Sequence, residues 1–366
     1  MPRRPTISDV AVRAGVSPAT GSRWLNGRIE LPESTGDRIR IAVADLTYYP
    51  HAQARRLSSG KAEVIGIILP DIANPFFVLL AGEAERVAVA VGYDVVIWST
   101  RNKVERELAC FDRLASGYAD GLILITKNED DGCLAARIRS ARDRVVIIDE
   151  NVPGTDAPKF FVDNELGGYG ATRHLLDHGH KLIAHIGRPM GVMSAIERAA
   201  GWRRALTESG NPPPDGWHIA SEYEIEPARA DARALFHLSP MPTSVFAGSE
   251  AIALGVMYAA SERGLEIPVD LSLVGFDCMP INGLFGPPLT TIEQPIAQLG
   301  RLGAERLLSL IVEPEAPRSK HRVQRLPVKL AVRNSVAAPA GTQILADPRA
   351  VDRPQEIDRV ARRTRR

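Results

Sequence analysis

The chain has 366 residues, 45% hydrophobic and 24% charged, an ordinary composition for a soluble globular protein with room for two or three domains. No run approaches the roughly 20 apolar residues that a membrane span needs, and no apolar segment follows Met1-Pro2-Arg3-Arg4 as in a secretion signal. Three scattered cysteines (Cys110, Cys133, Cys278) lack metal-ligand spacing and argue against a disulfide framework, so a cytoplasmic protein is expected. The net charge of +1 hides an asymmetry: residues 1–62 hold ten Lys and Arg against five Asp and Glu, leaving the remainder acidic by four. A basic head on an acidic body points to a polyanion that meets the head alone.

Ile7, Val10, Ala11 and Ala14 recur at helical spacing, with Thr6 and Asp9 placed as a capping box and Gly15 just past the end. Ser17-Pro18 opens a second helix as N-cap and first helical residue. That helix is expected to bury Gly21, Trp24 and Leu25 and to present Pro18, Ala19, Ser22 and Arg23. A third carries Ile39, Ala42, Val43 and Leu46 on one face and ends near Tyr48-Tyr49-Pro50. Spacing and caps alone fit a three-helix interaction module equally well. The basic surplus and the Ser22-Arg23 pair favour a helix-turn-helix whose second helix enters the major groove. Arg23 is then placed for guanine O6 and N7, and hydroxyls for phosphates.

The run TISDVAVRAGVS, then Thr20, Ser22-Arg23 and Leu25-Asn26, a third helix, and Tyr48, Pro50, Ala52, Ala54-Arg55 and Leu57 resemble the head of the lactose/galactose-repressor family. The resemblance implies DNA-contacting roles for Thr6, Ser17, Pro18, Ala19, Thr20, Ser22, Arg23 and Asn26. It also implies a hinge helix over residues 51–58 that forms on operator DNA, with His51, Ala54 and Leu57 as contacts and Leu57 wedged into the minor groove. Two residues depart from the family pattern. Gly21 stands where valine is usual, and Trp24 is larger than the usual valine, so Trp24 is expected to refill the space that Gly21 leaves. Pro18 and Ala19 have no side-chain donors, so readout there rests on methyl contacts and shape.

After Ser58-Ser59-Gly60, a short joint, strand-like runs alternate with helical stretches. The runs are Val64–Leu69, Val95–Trp98, Leu122–Ile125 and Val145–Ile148, then Phe160–Val162, Leu182–Ile186, Ser244–Ala247 and Leu271–Gly275. Asn74-Pro75 caps a long helix ending near Gly92. Two such series imply an α/β fold of two doubly wound parallel sheets, one per lobe, with a cleft between them. This body too resembles the family, whose core is like the periplasmic sugar-binding proteins. The expected organisation is a head at 1–50, a hinge and linker at 51–60, a body at 61–336 and a basic tail at 337–366. Lobe one takes about 61–162 and 293–324, and lobe two about 163–290 and 325–336. The chain crosses between them near Asp163, Thr291–Gln294 and Arg325.

By the resemblance, Arg198 grips a small-molecule effector; a guanidinium can hold vicinal hydroxyls or a carboxylate bidentately. Without it, Arg198 reads as one helix-surface arginine beside Arg203 and Arg204. Asp277 matches an effector acceptor of the family and also follows a strand, where open α/β sheets bind ligands. Asp149 ends another strand in the same way. Asn74, Phe76 and Phe77 start the helix beside the cleft, and the phenylalanines fit core packing as well as a ligand ring. Tyr223 is a candidate aromatic wall. Ser249-Glu250 replaces the family's usual Asn-Asp, so Ser249 offers one short hydroxyl to the effector.

His174, His178, His180 and His185 cluster in sequence, and the i, i+4 pair could bind zinc, but a helix end at Gly179 is the plainer reading. Gly167, Gly168 and Gly170 do not make a dinucleotide fingerprint, and no P-loop, G-x-S-x-G or His-Glu-x-x-His occurs. No cofactor, metal or catalytic constellation is expected. The reading is a DNA-binding regulator controlled by a sugar or related metabolite, acting as a homodimer, since 337–366 shows no leucine heptads for a tetramer. A sugar-binding receptor without a DNA role, and an α/β enzyme with a helical appendage, are the alternatives.

Overall fold

The computed structural model describes residues 5–48, 61–188, 191–277, 286–313 and 322–339. His51, Ala54 and Leu57, with the rest of 49–60, lie outside the described residues, as does the tail from 340. The chain divides into two compact units, Met1–Val64 with Arg113–Asp120, and Ile65–Asp112 with Gly121–Arg366.

The head holds α1 (Ile7–Ala14), α2 (Pro18–Leu25) and α3 (Glu33–Asp45). Thr6 Oγ1 accepts from Asp9 N while Asp9 accepts from Thr6 N, and Gly15 closes α1 at φ 65°. Val10, Ala14, Ile39, Ala42 and Tyr48 form the core, with Ile7, Val16, Trp24 and Leu25 packed around it. Trp24 does not refill the space at Gly21. A Cβ there would meet Ile7 and Val16 at 3.7 and 3.8 Å, side chains of α1 and the turn, whereas the indole lies over Gly36 of α3 with Arg40 above it. The two positions face different neighbours. Trp24 and Leu25 are therefore half-buried rather than buried, and only Gly21 of α2 is fully covered.

The second unit alternates strands and helices. In order they are β1 (Val64–Leu69), α4 (Pro75–Ala90), β2 (Asp94–Ser99), α5 (Val104–Ala115), β3 (Gly121–Leu124), α6 (Cys133–Ser140), β4 (Val145–Ile148) and β5 (Lys159–Val162). Then come α7 (Asn164–Asp177), β6 (Ile183–Gly187), α8 (Met193–Glu208), β7 (His218–Ala220), α9 (Ile225–Leu235), β8 (Ser244–Ala247), α10 (Glu250–Glu262) and β9 (Ser272–Asp277). Last are β10 (Thr290–Glu293), α11 (Ile296–Val312), β11 (Val323–Leu326) and β12 (Lys329–Ala331).

One sheet runs β11-β5-β4-β3-β1-β2 and the other β12-β10-β9-β8-β6-β7, the same order twice. Pairing is parallel from β1 through β3, β4 and β5 to β11, and from β7 through β6, β8 and β9 to β10; β10 and β12 are antiparallel. The central strands are buried throughout, which explains their unbroken apolar runs. The chain passes from one sheet to the other after β5, after β10 and after β11, so Arg325 and Leu326 stay in the first sheet. Each sheet reverses its strand order beside its first strand, and such a switch point opens a crevice at the strand C-termini.

Candidate functional site

In the head, Ser17 caps α2 through a 3.0 Å bond from Thr20 N, and its Oγ lies 2.8 Å from Thr20 Oγ1. Pro18, Ala19 and Arg23 are exposed, Ser22 is half-buried, and Asn26 is the C-cap of the helix. The Arg23 guanidinium has no partner among the described residues. The Thr6 hydroxyl is spent on Asp9. Apart from Thr6, which caps α1, these residues occupy α2 and its two ends, the arrangement a major-groove reader needs.

In the body, a cleft of about 630 Å³ opens at the C-terminal ends of the strands. All eight effector candidates line it: Asn74, Phe76, Phe77, Asp149, Arg198, Tyr223, Ser249 and Asp277. Asn74 and Ser249 also cap α4 and α10, by bonds from Phe76 N at 3.0 Å and Ile252 N at 3.2 Å. Phe76 and Phe77 meet edge to face at 5.3 Å and are both buried.

Arg198 is 3% exposed and held through Nε and Nη1. Its Nε donates to Asn164 Oδ1 at 2.9 Å, Nη1 donates to the Gly248 carbonyl at 2.6 Å, and Asp277 Oδ1 lies 3.6 Å from Nη1. The guanidinium sits 3.7 Å over the Phe276 ring. Its backbone is placed by two glycines. A Cβ on Gly168 of α7 would strike the Arg198 carbonyl, and one on Gly201 of α8 would strike the Glu165 carbonyl. The two helices touch through these gaps, and Nη2 donates no hydrogen bond among the described residues.

Asp149 and Asp277, each just past the core of a strand, hold φ of 75° and 105°, conformations that an L residue adopts at a cost. Burial pushes both carboxyls above the usual range, against the pull of Arg198. Asp277 accepts from Gln294 Nε2 at 2.6 Å, while the Asp149 carboxylate accepts no hydrogen bond among the described residues. The other oxygen-bearing end of Gln294, Oε1, is buried and unpartnered.

Residues 6–51 match the family described as bacterial regulatory proteins, lacI family, and residues 172–336 match a periplasmic binding protein-like domain. The ribose operon repressor of Halalkalibacterium halodurans is 36% identical over 334 residues, 90% of this chain and 96% of its own length. The chain belongs to the LacI family. The lac repressor dimer, solved bound to operator and the anti-inducer ONPF, superposes with a TM-score of 0.80 at 27% identity, covering 92% of this LacI-family chain and 100% of that one. A LacI family regulator from Enterococcus faecium with bound ribose gives 0.66 at 27% identity, over 75% and 99%.

Sequence reasoning missed several residues of this LacI-family cleft. Lys127, Glu150, Arg188, Ser194 and Gln294 all line it. Lys127, Glu150, Arg188 and Gln294 follow β3, β4, β6 and β10, so the strand-end rule that found Asp277 could also have found them. Ser194, near the start of α8, carries no such signal. The four clustered histidines do not form one group in space. The His174 and His178 rings meet at 4.4 Å with a 58° tilt, His180 bonds Thr243 and the Ala337 carbonyl, and His185 pairs instead with His218, Nδ1 to Nδ1 at 2.8 Å. Among the described residues no group of three or more metal-ligating side chains converges, and no helix is long and apolar enough to cross a membrane.

Proposed function

We propose that this LacI-family protein binds operator DNA through its helix-turn-helix head and represses transcription, and that a neutral sugar in the cleft sets its operator affinity. The observation carrying the sugar assignment is what the cleft leaves open. Among the described residues, Lys127 Nζ and Arg198 Nη2 donate no hydrogen bond, the Asp149 carboxylate accepts none, and Gln294 Oε1 is buried and unpartnered. Each sugar hydroxyl both donates and accepts, so it satisfies this mixed set. Asp277 offsets Arg198, and Asp149 is the foremost charge acting on Lys127, so no cationic surplus remains for a phosphate. Phe77 and Tyr223 supply apolar faces for the ring.

A thermal-shift comparison of D-ribose, cellobiose and ribose 5-phosphate on the whole protein tests this, since a ligand of the folded state raises Tm by mass action. Neutral sugars alone are expected to raise it. A shift given only by the phosphorylated sugar would reverse the assignment. The cleft binds its sugar without converting it, so the sugar is expected to be recovered unchanged after prolonged incubation.

A second copy of the chain completes the reading, because a two-fold protein reads a two-fold operator. Val78, Leu79 and Val89 of α4 and Ile97 of the edge strand β2 are exposed apolar side chains that a dimer would cover. Light scattering at micromolar concentration is expected to give a dimer mass; a monomer would overturn this part. The protein then acts in the cytoplasm, where its DNA lies.

A further inference from the structure

We propose that Lys127 determines which sugars the cleft accepts, its ammonium donating to one ligand hydroxyl while its main chain holds the opposite lobe. The inference rests on the cleft being the effector site. Nζ lies 5.0 Å from the ring centroid of Phe77, in its own lobe, and 5.0 Å from that of Tyr223, in the other. Two aromatic faces attract a cation but accept none of its three N–H donors in a strong bond. No hydrogen bond or ion pair to this ammonium exists among the described residues. Burial also weakens its hold on the proton, with Asp149 opposing.

Lys127 is half-buried and lines the cleft, so the N–H donors of its ammonium are open to a molecule from outside the chain. The surroundings hold it in readiness. Thr126 Oγ1 and Asn128 Nδ2, the residues on either side, donate to the buried Glu107 carboxylate at 2.9 and 3.0 Å, and Asn128 N donates to Thr126 Oγ1 at 3.0 Å. The segment is therefore rigid from behind, as a preorganised contact requires. The Lys127 carbonyl accepts from Arg188 Nη1 of the opposite lobe at 2.7 Å, and Arg188 in turn lies 3.6 Å from Glu222. One residue thus meets the ligand with its side chain and the closed lobe with its backbone. Arg198, 5.9 Å from the same Tyr223 ring, frames the other approach to the sugar.

The test is Lys127→Met in the full chain, beside Arg198→Ala, with D-ribose, D-xylose, D-galactose and cellobiose titrated calorimetrically. Lys127→Met is expected to weaken sugar binding at least tenfold while the unliganded Tm stays level, because the half-buried ammonium has no hydrogen bond among the described residues to lose. For the one deoxy analogue lacking the hydroxyl that Lys127 holds, the difference between wild type and Lys127→Met is expected to vanish. A lower unliganded Tm with unchanged affinity would make Lys127 merely structural and overturn the proposal. Loss of binding in Arg198→Ala with none in Lys127→Met would overturn it and leave the cleft reading standing. Wild-type protein that binds no sugar of the set would overturn both together.

Discussion

The carboxylate of Glu150, at the end of β4, caps helix α8 of the opposite lobe through Ser194. Its Oε2 accepts from Ser194 N at 3.1 Å and its Oε1 from Ser194 Oγ, while Val192, the N-cap of α8 itself, has no side-chain acceptor to offer. Burial, followed by the nearby Asp149, raises the Glu150 pKa, so the bond to Ser194 is what draws the charged form back. The bond exists only while the lobes are together. Ser194→Ala removes its hydroxyl half, a capping contribution of about 1 kcal/mol. Sugar affinity is expected to fall roughly fivefold by that amount, with the unliganded Tm little changed; equal titration curves for mutant and wild type would rule the contact out as a closure latch.

Glu107 predicts a pH dependence of stability. Burial raises its pKa from 4.5 to about 7, against the bonds from Thr126 and Asn128. Between those values the folded state holds a proton that the unfolded chain has lost. Stability is therefore full below about pH 4.5, falls as pH rises toward 7 and is flat above, with this group contributing at most about 1.4 kcal/mol per pH unit. Glu107→Gln mimics the protonated acid. It is expected to remove that slope and to be more stable than wild type at pH 8, as read by urea denaturation across the range. A wild-type and a mutant curve that stay parallel would contradict the shift.

Two glycines of the head, Gly21 and Gly36, have opposite consequences. Gly21 lies inside α2, where a methyl would make only ordinary contacts with Ile7 and Val16. Gly21→Ala is expected to stabilise the head by up to about 1 kcal/mol. At Gly36 the same methyl would lie 2.9 Å from Trp24 Cζ2, so Gly36→Ala must displace the indole and is expected to destabilise by about 1–3 kcal/mol. Chemical denaturation followed by Trp24 fluorescence against the other three tryptophans reads both.

Arg23 is exposed and uncommitted on α2. On DNA selected by the wild-type protein from a random pool, Arg23→Ala is expected to lose about 1–3 kcal/mol and to relax preference at one base pair. Anisotropy titrations against single-base variants check this. A loss equal across all variants, with a shallower salt dependence, would make Arg23 a phosphate contact instead.

The strands were legible because burial on both faces leaves unbroken apolar runs, and Val64–Leu69 is β1 residue for residue. Asp149 and Asp277 were legible because strand ends are where such sheets bind. Arg198 was visible only through family resemblance, since its helix has an apolar pattern no different from its neighbours and its burial depends on Gly168 and Gly201. The sequence showed only that Gly168, with Gly167 and Gly170, makes no dinucleotide fingerprint; the use of Gly168 and Gly201 in helix packing is written in three dimensions only. Trp24 was misjudged for a similar reason. Sequence spacing puts it on the Gly21 face, but a side chain as long as indole reaches across to another helix.

The three passages between the sheets all belong to strands at one margin: β5 and β11 are neighbours at the end of one sheet, β10 and β12 at the end of the other. Three adjacent covalent straps act as the spine of a book. They resist sliding and twisting and leave bending about that margin as the soft movement. The pages part most at the far edge, near β2 and β7, so a small rotation at the spine becomes a large displacement there. A sugar that holds the pages shut needs only contacts far enough from the spine to have leverage.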